Sequence, residues 1–428
     1  MKCIATCVFA LCLFAVSLGT FAEDEPSGKW WEALSPDIKD IKYKTSTDNS
    51  MQPALFYAPT GKKDEAVPLM VILHSWSSGY DNGWAKNYGE KCISAGWAFI
   101  RPHYRGPNNN PDATGSEKVV KDIVSAVEYA KKNAKIDDKM IYIAGDSGGG
   151  YTALHMVGRT PEIWAAAIVG VPPTDLVDWF NYNRKYGGGY DRALVPSCGG
   201  EPGSKKAEVE YKKRSPLTYL KNALNIPVDI KAGYFDKSVP FVHSVWAFNA
   251  IVPDKDRIPE TLIQEWYKYT DEKFYSVMKK EKNLEKTVKP PETLVKDGIR
   301  KLENSTMKIF FQKISGNTVL TITDSGHSGC TSASWVWIQK QKKLIDKASP
   351  EAYCSAKVGK PQKFTVAASD GKGGALTYSW SVDGKAADAN SAEFQFSPDS
   401  AGEKNVQVKV KDNEGHESLW IWIASVTK

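Results

Sequence analysis

Gly145-Asp146-Ser147-Gly148-Gly149-Gly150 stands where an apolar run, Met140-Ile141-Tyr142-Ile143-Ala144, gives way to a segment of helical composition, Tyr151-Thr152-Ala153-Leu154-His155-Met156. A serine between glycines at a strand-to-helix turn is the setting of a nucleophilic hydroxyl. The turn strains the backbone at the serine, and the flanking positions have no room for Cβ atoms. A serine hydroxyl is weak by itself; it needs a base, and the base needs an acid to orient it. Of the six histidines, His327 lies in Asp324-Ser325-Gly326-His327-Ser328-Gly329, just after the strand-like residues 318–322. A loop histidine between glycine and serine is better placed to move a proton than His155 inside a helix. For the acid, Asp236 follows the run at 228–232, in Gly233-Tyr234-Phe235-Asp236-Lys237-Ser238. Ser147, Asp236 and His327 together point to acyl transfer through a covalent intermediate.

Such a reaction also needs hydrogen-bond donors where negative charge develops on the carbonyl oxygen. Leu73-His74-Ser75-Trp76-Ser77-Ser78-Gly79 ends an early buried run. The backbone amide of Trp76 and that of Gly148, the residue after the nucleophile, are the expected pair, with His74 as a structural support of the loop. Tyr80, Tyr151 and Trp179, beside Trp76, are candidates for the wall of a substrate pocket, and each reads equally well as core. No cofactor is called for. No Cys-x-x-Cys or His/Cys cluster suggests a metal.

The elements that must position these groups follow from hydrophobic periodicity. Residues 67–73, 97–100, 140–144, 165–169 and 228–232 are short, nearly continuous runs of strand formers, as in strands buried on both faces of a parallel sheet. Between two of them, Val119, Ile123, Ala126, Val127 and Ala130 recur at helical spacing. The expected fold is α/β: a mostly parallel sheet with helices on both faces. A Lys- and Glu-rich stretch at about 253–306 reads as a helical insertion with a solvated face. Beyond it, residues 364–366, 376–382, 393–396 and 405–410 alternate apolar and polar between Gly-rich turns, which predicts a small β-sandwich. The expected division is a catalytic domain over 23–350 and a sandwich over 355–428.

Composition excludes other classes. The 428 residues are 42% hydrophobic and 25% charged, and a net charge of +6 is spread along the chain. Disorder, a disulfide miniprotein and a nucleic-acid binder are poor readings. Residues 1–22 carry one lysine, an apolar run and small residues before Glu23-Asp24-Glu25, the pattern of a cleavable signal peptide. The run is short for a bilayer span, so a secreted or periplasmic chain without an integral membrane segment is expected. Export leaves Cys92, Cys198, Cys330 and Cys354, which allow three pairings in an oxidising compartment. The pairing expected here is Cys330 with Cys354, which flank one apparent helix. In the sandwich, Asp370, Asp383 and Asp412 suit turn formation better than calcium binding.

The motif Gly-Asp-Ser-Gly-Gly also occurs in chymotrypsin-like proteases. There the histidine and aspartate precede the serine; His74 and Asp122 are available upstream, but Asp122 falls in a helical pattern and the serine leads into a helix. The order Ser147, Asp236, His327 is that of the α/β-hydrolases. Within them the chain resembles the prolyl oligopeptidase-like branch. The likeness rests on His103-Tyr104-Arg105-Gly106, Ile136-Asp137, residues 145–150, Ser215-Pro216, residues 236–240 and Gly326-His327. Ser75 departs from the glycine common at its place. Larger peptidases of the branch carry an amino-terminal propeller, for which residues 23–67 are too few. The resemblance therefore implies a serine hydrolase of carboxylic esters, with a decorated polysaccharide as a candidate substrate; the alternative is an exopeptidase or amidase. Residues 367–370, 376–380 and 406–415 resemble a PKD or Ig-like module.

Overall fold

The computed structural model describes residues 29–428 apart from 63, 84, 85, 279–285 and 330. The signal-peptide expectation at 1–22 lies outside the described residues.

Ten strands form one sheet: β1 Lys39–Lys44, β2 Met51–Tyr57, β3 Val67–Ile72, β4 Ala98–Pro102, β5 Ile136–Asp146, β6 Ala166–Gly170, β7 Val228–Gly233, β8 Arg300–Lys301, β9 Lys308–Ser315 and β10 Thr318–Thr323. Their order is β1-β2-β4-β3-β5-β6-β7-β10-β9-β8. The central six, from β4 to β10, run parallel, and antiparallel β1 and β2 flank one side and β9 and β8 the other. Period-two alternation divides the interior in two. Leu69, Val71, Ile141 and Ile143 enter one core, while Met70, Ile72, Tyr142 and Ala144 enter the other.

Helices cover both faces: α1 Trp30–Leu34, α2 Lys86–Ala95, α3 Glu117–Asn133, α4 Gly148–Arg159, α5 Leu176–Tyr186, α6 Asp191–Cys198, α7 Lys205–Arg214, α8 Val242–Ile251, α9 Glu260–Thr270 and α10 Thr331–Ile338. In α3, Ser116 caps the first turn by accepting the Val119 amide, and Lys131 and Lys132 sit in the last turn, where the helix dipole favours cations. Its stripe Val119, Ile123, Ala126, Val127 and Ala130 joins the first core. Trp30 and Trp31 of α1, Cys92 of α2 and Trp335 of α10 close the second. Arg105, in the loop after β4, bridges Asp122 of α3 (2.6 and 3.0 Å) and Asp48 (2.9 and 3.0 Å).

Among its described residues, the insertion is less helical than its composition suggests. It holds a 3-10 turn at Asp254–Asp256, α9, and a π-helical turn at Asp271–Tyr275. Pro290 and Pro291, which cannot donate to a helical ladder, mark the irregular stretch that follows.

The C-terminal strands are β11 Ile345–Ser349, β12 Tyr353–Lys357, β13 Gln362–Ala368, β14 Leu376–Val382, β15 Lys385–Ala386, β16 Glu393–Phe396, β17 Gly402–Asp412 and β18 Glu417–Thr427. They form two facing sheets, β11-β13-β16 and β12-β18-β17-β14-β15. Trp380 and Trp422 stack between them, centroids 5.6 Å apart. Asp370 accepts the amides of Lys372, Gly373 and Gly374, and Asp412 those of Glu414 and His416, so these carboxylates close turns. The sandwich is docked on the sheet's lower edge: Asn225, just before β7, accepts the Ile421 amide at 2.7 Å and donates to its carbonyl at 3.3 Å. Leu224 packs there on Ile421 and Ile423.

The thiols of Cys92, Cys198 and Cys354 are free, which corrects the disulfide expected for Cys354. That residue lies on β12 of the sandwich, whereas α10 covers the large sheet; its expected partner, residue 330, is outside the described residues. No helix among the described residues is long and apolar enough to cross a membrane.

Candidate active site

Ser147, Asp236 and His327 come from three loops at one rim of the sheet, after the C-terminal ends of β5, β7 and β10. Rims of this kind collect ligands in open α/β sheets. Ser147 joins β5 directly to α4 with φ 57° and ψ −120°, a conformation that strains a residue bearing a Cβ. Its amide donates to Gly170 O at 2.9 Å and its carbonyl accepts from Tyr151 at 2.9 Å. The neighbouring glycines are required by contact: a Cβ on Gly145 would lie 2.5 Å from the Gly149 carbonyl carbon.

Asp236 is fully buried. Its Oδ1 accepts the amides of Ser238 and Val239 (2.7 and 3.0 Å), and its Oδ2 faces His327 Nδ1 at 2.7 Å. Both carboxylate oxygens are thus held in place, and the ring is aimed by one of them. Burial by itself would lower the His327 imidazole. The Asp236 carboxylate, through its charge and its hydrogen bond, outweighs that with help from Asp146, and the ring ends above the usual imidazole value.

Trp76 sits in the loop after β3, and its amide has no hydrogen-bond partner among the described residues. Gly148 opens α4, where the first amides of a helix lack intrahelical acceptors. The two residues expected to supply the oxyanion donors adjoin, since a Cβ on Gly148 would lie 2.3 Å from the Trp76 nitrogen. His74 stacks on Tyr104, centroids 4.0 Å apart, and its ring nitrogens lie 2.9 Å from Ser75 O and 2.8 Å from His103 O. A neutral ring carries one N–H, so one of these carbonyls receives it. Burial lowers His74 to about 4, and it ties the loops after β3 and β4 together as expected. His155 is buried within α4 and lowered by burial to about 3.

The aromatic candidates divide. Trp76 meets Trp179 edge-on at 4.6 Å, Trp179 stacks on Tyr190 at 4.8 Å, and Tyr151 lies 5.3 Å from Trp76. Trp179 Nε1 donates to Ser238 O at 2.9 Å and Tyr182 donates to Lys237 O at 2.9 Å, which fastens α5 to the loop carrying Asp236. Tyr151 is buried with its hydroxyl on Arg214 O, so it presents no polar group to a ligand. Tyr80 belongs to a different group, donating to Asp40 and meeting the His103 ring at 5.5 Å. Tyr190 completes the Trp76 cluster; it carries no motif and sequence reasoning passed over it.

Residues 92–296 match the prolyl oligopeptidase family model, and residues 348–424 match the PKD domain. The chain carries a prolyl oligopeptidase family domain. Ser147 and Asp236 fall inside the matched stretch, and His327 lies beyond its end, past the insertion. The acylamino-acid-releasing enzyme of Rattus norvegicus is 25% identical over 235 residues, which is 50% of this chain and 30% of that protein. Dipeptidyl aminopeptidase BIII of Pseudoxanthomonas mexicana is 26% identical over 165 residues, 37% of this chain and 24% of that one. The matched stretches therefore span less than a third of these relatives' own length. Among solved structures, the acylaminoacyl peptidase of Pyrococcus horikoshii aligns with a TM-score of 0.42 at 17% identity, over 59% of this chain and 44% of that one. A thermostable esterase aligns with a TM-score of 0.36 at 18% identity, over 51% and 52%.

Proposed function

We propose that this prolyl oligopeptidase family chain is a serine hydrolase that cleaves an amide bond next to an acylated or peptidyl amino acid, through an acyl-enzyme. The observation that carries the reading is the His327 Nδ1 to Asp236 Oδ2 hydrogen bond of 2.7 Å at the rim where Ser147 is held at φ 57°. Ser147 Oγ attacks the carbonyl carbon while His327 Nε2 takes its proton. Asp236 keeps the Nδ1–H tautomer and steadies the imidazolium. The amides of Trp76 and Gly148 receive the oxyanion. The C–N bond breaks as His327 returns the proton to the leaving amine, and a water activated by the same ring then releases the acid.

The curated relatives are named as an acylamino-acid-releasing enzyme and a dipeptidyl aminopeptidase, which favours the amide over the carboxylic ester expected from sequence. The same groups serve both bonds, so leaving-group preference decides. Purified chain would be offered N-acetyl-aminoacyl and dipeptidyl p-nitroanilides beside p-nitrophenyl acetate and acetylated glycans. Higher kcat/KM on the anilides supports the peptidase reading, and turnover confined to esters refutes it. Export of the enzyme is part of the proposal, on the composition of residues 1–22; release of the chain into the medium by an expressing bacterium tests it.

A further inference from the structure

The acyl-transfer steps leave one half-buried acid beside the nucleophile unused. Asp146 ends β5, and its Oδ1 is buried with no hydrogen-bond partner among the described residues. Backbone closes tightly around that oxygen. A Cβ on Gly170, at the end of β6, or on Gly329, in the loop that carries His327, would come within 1.9 Å of it. The carboxyl is therefore wedged between the end of β6 and the His327 loop. Three groups act on it: His327 from that loop, Lys231 from β7 and Tyr88 from α2. Lys231 is itself buried, its ammonium bound to Asp229 Oδ2 and, at 2.6 Å, to Ser334 Oγ. On the other side, His327 is acted on by the carboxylates of Asp236 and Asp146.

We propose that Asp146 is a positioning residue for the base: a second carboxylate that, with Asp236, favours the His327 imidazolium formed as Ser147 gives up its proton. The inference rests on the serine-hydrolase reading. Only an ionised group can act this way. Burial raises the Asp146 carboxyl to about 6, against the pull of His327, Lys231 and Tyr88, so it is charged at neutral pH. A buried carboxylate costs stability unless a positive partner offsets it. Lys231 favours the Asp146 carboxylate whatever the state of the ring, and His327 joins it whenever the ring is protonated. The wedge between Gly170 and Gly329 keeps water, which would screen the effect, away from Oδ1.

The test is the pH profile of kcat/KM for the wild type, Asp146→Asn and Ser147→Ala. With Asp146 neutral, the imidazolium loses one of its two carboxylates. The acid limb should move to lower pH by about half a pH unit to one pH unit, and the plateau should fall roughly three- to tenfold, because one pH unit on the limb corresponds to a tenfold change in the protonation equilibrium. A merely structural role would lower the plateau or the melting temperature and leave the limb where it was; that result overturns the inference. Loss of turnover in Ser147→Ala keeps the underlying reading intact in that case, whereas retained turnover would sink the reading itself. A measurement on the wild type guards against a variant that does not fold. The imidazole 15N shifts of His327 should show a second, smaller inflection on the acid side of the ring's own, where the coupled Asp146 carboxyl titrates, and a ring that follows a single titration throughout the folded range contradicts the proposal.

Discussion

Gly148 lies so close to Trp76 that a Cβ placed on it would stand 2.3 Å from the Trp76 backbone nitrogen and 2.5 Å from its Cα. Residues 72 positions apart in the chain thus share one small volume, at the turn where Ser147 meets α4. Glycine is the residue that permits this approach of the Trp76 loop to the turn. Gly148→Ala must push the Trp76 loop away. The expected result is a fall in kcat of about 10²–10³, the size seen when one oxyanion donor is lost. KM should change far less, and steady-state kinetics on the best anilide checks both.

His327 sits above the usual imidazole value because the charge and hydrogen bond of Asp236 overcome the effect of burial. The base works only when neutral, so kcat/KM should rise with pH through a limb above about 6.5. In Asp236→Asn the raising influence is gone: the limb moves to lower pH, and the plateau drops on the order of 10⁴-fold, as in the comparable replacement in a serine protease. The linkage to stability has a definite sign. A folded value above the unfolded one stabilises below the unfolded value, and that contribution is lost as pH rises through the folded value.

Arg105 holds two carboxylates at once, one of them the fully buried Asp122. Burial raises the Asp122 carboxyl and the Arg105 guanidinium opposes that rise. Arg105→Met would leave Asp122 without its cation in the interior. A loss of about 3–5 kcal/mol is expected, because removal of one partner strands a buried charge. Urea unfolding at neutral pH measures it. The midpoint should recover partly at acid pH, where Asp122 can protonate.

Asn225 is the hinge pin between the large sheet and the sandwich, bonded to both backbone groups of Ile421. Asn225→Ala should cost roughly 1–3 kcal/mol, from two lost hydrogen bonds whose Ile421 partners stay half-buried. Calorimetry is the readout: the sandwich should unfold earlier and more nearly alone, while turnover on small anilides is unchanged, since this contact lies at the opposite edge of the sheet from Ser147.

The readable parts of the sequence were those with local signals. The strand before Ser147, the glycines around it and the loop setting of His327 all lie within a few residues of the groups they position. The strand β1 escaped notice because Lys39-Asp40-Ile41-Lys42-Tyr43-Lys44 is an edge strand, and edges carry the charges that hide them. Tyr190 and Asp146 were passed over for another reason. Each acquires its place from residues far away in the chain, Trp76 and Trp179 for one, Gly170 and Gly329 for the other. The expected disulfide failed likewise: proximity in sequence said nothing about where Cys354 packs, and it went to the sandwich with its thiol free.

The most direct test of the account is covalent. Wild type and Ser147→Ala, both shown to be folded by near-UV circular dichroism, would be treated with a fluorophosphonate and digested for mass spectrometry, with N-acetyl-aminoacyl anilide turnover followed in parallel. One adduct is expected, on Ser147, that abolishes turnover, with no adduct and no turnover in the variant. Label on another residue, or full turnover by Ser147→Ala, would contradict it.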